Sequence, residues 1–90
     1  MLRIFKYEIP IDDDFEIEMH QDAKILSVQM QKEKSCIWAI VDLYNSKSIR
    51  KFRMAGTGHP IDHTLEELEF IGTFQIPEDS QTFHLFEVKG

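Results

Sequence analysis

Ninety residues, 42% hydrophobic and 29% charged, leave room for one domain, residues 1–90, and exclude a disordered chain. A single cysteine, Cys36, excludes an internal disulfide and fits a reducing compartment. No run approaches the roughly 18 apolar residues of a membrane span, and charge breaks up the opening Met1-Leu2-Arg3-Ile4-Phe5-Lys6 too early for a secretory signal, so a cytoplasmic protein is expected. Sixteen acidic residues against ten basic ones, a net charge of −6, argue against duplex nucleic acid as a partner.

The dominant period along the chain is two, the signature of half-buried strands. Leu2, Ile4 and Lys6 alternate with Arg3, Phe5, Tyr7 and Ile9 until Pro10, which lacks the N–H that a ladder needs. Phe15, Ile17 and Met19 alternate with Glu16, Glu18 and His20, predicting a strand with one wet face. Ile25 to Met30 reads as a third strand and Lys32 to Ser35 as its exit turn. Cys36-Ile37-Trp38-Ala39-Ile40-Val41 is apolar on both faces, as a central strand would be, and its β-branched and aromatic residues favour strand over helix.

Asp42 to Ser48 predicts a turn. The next strand should carry Lys47, Ile49, Lys51 and Arg53 on one face, with Phe52 and Met54 on the other. An antiparallel hairpin joining 36–43 to 48–55 is expected. Ala55 to Pro60 breaks the period and reads as a loop. Thr64 with Glu67 three positions on has the form of a capping box, predicting one short helical turn near 64–69. Phe70, Gly72 and Phe74 should share a face of a sixth strand, Pro77 to Ser80 a turn, and Thr82 to Val88 a seventh strand. The expected fold is therefore all-β, or nearly so: a compact antiparallel sandwich or small barrel of about seven short strands.

Candidate sites are few. In Gly56-Thr57-Gly58-His59-Pro60, glycines would let backbone N–H groups converge on an anion, with Thr57 and His59 adding donors and Arg53 just upstream. The plainer reading of the same loop is a tight connection between two sheets, and it lacks the lysine and glycine spacing of a nucleotide fingerprint. Trp38 reads as core or, facing a groove, as a stacking platform rimmed by Lys47, Lys51 and Arg53. The tentative ligand set is thus Trp38, Lys51, Arg53, Gly56, Thr57, Gly58 and His59. His59 and His63 have a spacing that metals use, but the thiolates and the four ligands of a structural zinc site are missing, so no metal and no cofactor are expected. Cys36 opens an apolar strand, unlike a reactive thiol, and no catalytic residue is assigned. The protein reads as a non-enzyme. Apolar residues on both faces of several strands point to a homo-oligomer.

The chain resembles a family of short proteins from phages and prophages. The likeness is carried by the blocks Trp38-Ala39-Ile40-Val41-Asp42, Gly56-Thr57-Gly58-His59-Pro60-Ile61, Phe70-Ile71-Gly72-Thr73-Phe74-Gln75 and Phe83-His84-Leu85-Phe86-Glu87, and it runs from about Ile4 to Glu87. It implies action in the cytoplasm of a bacterial host cell and supplies no reaction. The functional expectation is a binding protein in phage–host conflict, either sequestering a small anionic, nucleotide-type defence signal or blocking a host defence protein. The alternative is a structural or assembly accessory of the phage.

Overall fold

A computed structural model describes residues 1–89. Seven strands appear in chain order: β1 (Leu2–Ile9), β2 (Asp14–His20), β3 (Lys24–Gln31), β4 (Lys34–Asp42), β5 (Lys47–Gly56), β6 (Leu68–Ile76) and β7 (Gln81–Val88), with a single 3₁₀ turn at Leu65–Glu67 before β6. They form two antiparallel sheets, β1-β4-β3 and β2-β5-β7-β6. The all-β sandwich expected from the period-two pattern is what the chain adopts.

The core lies between the sheets. Ile37, Ala39 and Val41 of β4 face Met19, Phe52, Met54, Phe74 and Leu85 of the other sheet, with Ile9, Ala23 and Val28 filling in. Phe15 stacks on Phe52 with ring centroids 5.4 Å apart, continuing the core to the β2 edge. Arg50 ties the layers: it makes two hydrogen bonds to Glu87 of β7, at 2.6 and 2.7 Å, and donates its third to the Ala23 carbonyl at the start of β3. The Glu87 carboxylate raises the Arg50 pKa, more than half-burial lowers it.

The hairpin expected between 36–43 and 48–55 does not form. β4 lies at the centre of its sheet, between β1 and β3, so both of its hydrogen-bonding edges are occupied. The turn after Asp42 instead carries the chain across to the other sheet, where β5 pairs with β2 and β7. The reversal was legible in the turn residues; the change of layer was not.

The expected face of β6 also needs correction. A bulge between Phe70 and Gly72 puts Phe70 opposite Phe86 and Gly72 opposite Leu85. One extra residue flips the side-chain parity. Phe70 therefore points outward, 59% exposed, while Phe74 is buried and Ile71 packs on the core. The capping box near 64–69 is present: the Glu67 carboxylate accepts from the Thr64 backbone N–H at 2.8 Å and from its hydroxyl at 3.2 Å.

Candidate functional site

On the outer face of the four-stranded sheet, register places Asp14, Glu16 and Glu18 of β2 beside Arg53, Lys51 and Ile49 of β5. The loop after β5 turns back over this face. It leaves β5 at Gly56, where any side chain would meet the His59 imidazole at 3.0 Å, and Gly58 takes a φ of +88°. Both glycines are thus required by the turn itself. The loop then lays Pro60, Ile61 and Asp62 against β5, and Arg53 is buried beneath them at 7% exposure.

Burial of a guanidinium demands partners. Arg53 has Asp13 at 3.6 Å, Asp14 at 3.7 Å and Asp62 at 3.8 Å, and donates to the Pro60 carbonyl at 3.1 Å. Its Nε–H is buried without a partner. Together Asp13, Arg53, Ala55, His59, Pro60, Ile61 and Asp62 line an open cleft of about 440 Å³. Three carboxylates, each at least 65% exposed at the side chain, surround one buried cation. The rim of this cleft is anionic.

The residues singled out from sequence are only partly brought together. Arg53 and His59 share the cleft. Gly56, Thr57 and His59 line a neighbouring depression with Ser80, Gln81, Thr82 and Phe83. Lys51 is exposed one register step away, opposite Glu16. Trp38 is half-buried on β4, in the opposite sheet, and does not join the group. Arg53 is moreover already engaged by carboxylates, and the loop's Thr57 hydroxyl is 2.7 Å from His84 Nε2, whose Nδ1 is 3.0 Å from the Thr73 hydroxyl. That Thr57–His84–Thr73 chain pins the loop to β7 and β6.

Sequence reasoning missed the convergence of Asp13 and Asp14 with Asp62, nearly fifty positions apart. It also missed His84 as the loop's anchor. Cys36 is buried, as expected of a structural thiol. Among the described residues no group of three His, Cys, Asp or Glu side chains is placed to hold a metal ion, and no helix is long and apolar enough to cross a membrane.

Fold and site together define a small two-sheet β-sandwich with an acidic, arginine-centred outer face. The family described as Domain of unknown function (DUF7352) matches residues 1–90, and the chain belongs to it. No curated protein and no solved structure matches.

Proposed function

We propose that this chain is a small non-enzymatic phage or prophage protein that acts in phage–host conflict by seating its acidic face on a basic surface of a host defence protein. The observation that carries the proposal is the gathering of Asp13, Asp14 and Asp62 around Arg53, with Glu16 and Glu18 extending the same row along β2. Carboxylates on one face steer and hold a basic partner, while the buried cation beneath keeps them at close quarters. The resemblance to phage proteins supports the setting. Sequestering an anionic nucleotide is the weaker reading, since Arg53 is already surrounded by acids and Trp38 lies on the other sheet.

The test is affinity capture from host lysate with the wild-type chain and with a Glu16→Lys/Glu18→Lys variant, each at low and high salt. One protein, held by the wild type at low salt and lost with salt or with the variant, is the expected result. Capture indifferent to both, or a small-molecule mass carried by the purified protein and lost in Arg53→Ala, would replace blocking with another mode.

A further inference from the structure

Among the described residues, no loop covers the outer face of the three-stranded sheet. Leu2 and Ile4 of β1 are 64% and 61% exposed and Leu26 of β3 is 48% exposed, with Trp38 and Ile40 half-buried between them. By register the outward row of β4 runs Lys34, Cys36, Trp38, Ile40, Asp42. It has a cation at one end and an anion at the other; between them Cys36 is buried, and Trp38 and Ile40 are the accessible apolar side chains.

Such a row is complementary to itself when reversed. We infer that this face binds a second copy of the chain about a twofold axis through Trp38, so that each Lys34 meets Asp42 of the other copy and Trp38 lies over Trp38. A twofold interface must be self-complementary in this sense, and sheets stack face to face at about 10 Å, within reach of these side chains. The contacts Lys34 and Asp42 already make leave them available. Lys34 is 4.0 Å from Glu8, a loose pair. The Asp42 carboxylate takes the Met1 amine and the Tyr44 N–H through one oxygen, both at 3.1 Å, and has further lone pairs to offer. Lys6 is drawn across the sheet to Gln31 at 2.7 Å, which carries its charge away from the axis and, by register, over Cys36. The acidic face of each copy is left pointing away from its mate, so this inference does not depend on what that face binds.

Sedimentation or native mass spectrometry across a concentration series tests it. At about 100 µM protomer the wild type should be dimeric, mass action favouring association. Lys34→Asp apposes like charges twice and should weaken dimerisation by at least roughly tenfold, as should Asp42→Lys. Mixed together, the two variants restore both pairs and should form a heterodimer as tight as the wild type. Ile4→Glu, at an exposed position where folding is not at stake, should also give monomers and serves in place of Asp42→Lys if that variant does not fold. A monomeric wild type overturns the inference, as does a dimer unmoved by Lys34→Asp and Ile4→Glu. So does failure of two folded charge variants to pair.

Discussion

The two outer faces of the sandwich are treated differently by the same chain. On the four-stranded sheet the longest connection, between β5 and β6, folds back over β5 and buries Arg53 and Ala55. Among the described residues nothing folds back over the three-stranded sheet, and Leu2, Ile4 and Leu26 stay in solvent. The cover is itself partial, since Ile49 and Phe70 lie beyond it and are 55% and 59% exposed. The contrast teaches that a 90-residue chain has one segment to spare. It uses that segment where a buried cation must be sheltered, and leaves open a face whose charges, Lys6, Glu8, Lys24, Lys34 and Asp42, stand at or near the surface.

Removing the tie between the layers should have the largest effect. Arg50→Ala leaves Glu87, only 14% exposed at its side chain, without its cation inside the sandwich; a loss of about 3 kcal/mol is expected in denaturant unfolding. A loss under about 1 kcal/mol would mean that apolar packing alone holds the two faces in register.

Arg53→Met removes the reason for the cover. Its carboxylate partners are exposed and screened, so the expected cost is about 1–2 kcal/mol at low salt, partly recovered at high salt as Asp13, Asp14 and Asp62 cease to repel one another. Insensitivity to salt would show that the loop is held by the Thr57–His84–Thr73 chain instead.

On the open face the same style of change should do little. Ile4→Gln with Leu26→Gln is expected to alter the stability of the monomer by no more than about 0.5 kcal/mol, which thermal unfolding at low protein concentration would check. A larger loss would mean that this face is packed in a way its exposure conceals.

The smallest effect is one of pH. Glu67 is held below its usual 4.5 chiefly by the Thr64 N–H, and Asp42 below its usual 3.8 chiefly by the Tyr44 N–H, with the Met1 amine adding to it. A depressed carboxyl contributes stability that is complete above its ordinary value and is lost as pH falls through the depressed one. Melting temperature should therefore decline as the solution is acidified below 4.5, and Glu67→Gln should flatten the first part of that decline.

The strands themselves were legible because their alternation is local: Phe15, Ile17 and Met19 against Glu16 and Glu18 needs only five residues to be seen. Which strands pair is not local. β4 and β5 follow one another through a turn, yet the apolar run on β4 earned it a central place that left no edge for β5. Phe70 was misplaced for a related reason, since a bulge is a single-residue event that a period cannot reveal. Of the candidate site, the sequence showed the glycines and Arg53. It gave no sign that Asp13, Asp14 and Asp62 would close around that arginine, because only the fold brings positions so far apart to one place.

Gly72 has a consequence for how the molecule breathes. β3 and β6 run side by side, and a Cβ at Gly72 would stand 2.9 Å from Val28 Cγ1, so this flank of the sandwich is sewn shut. The opposite flank, between β1 and β2, has Phe5 and His20 in edge contact at 6.0 Å between ring centroids. The domain is thus a book with its spine along β3 and β6. Backbone amides of the outer strands β1 and β2 should exchange with solvent deuterium well before those of β4, β5 and β7, in line with local opening from unfastened edges. Uniform exchange across all seven strands would show that the pages open only when the whole binding comes apart.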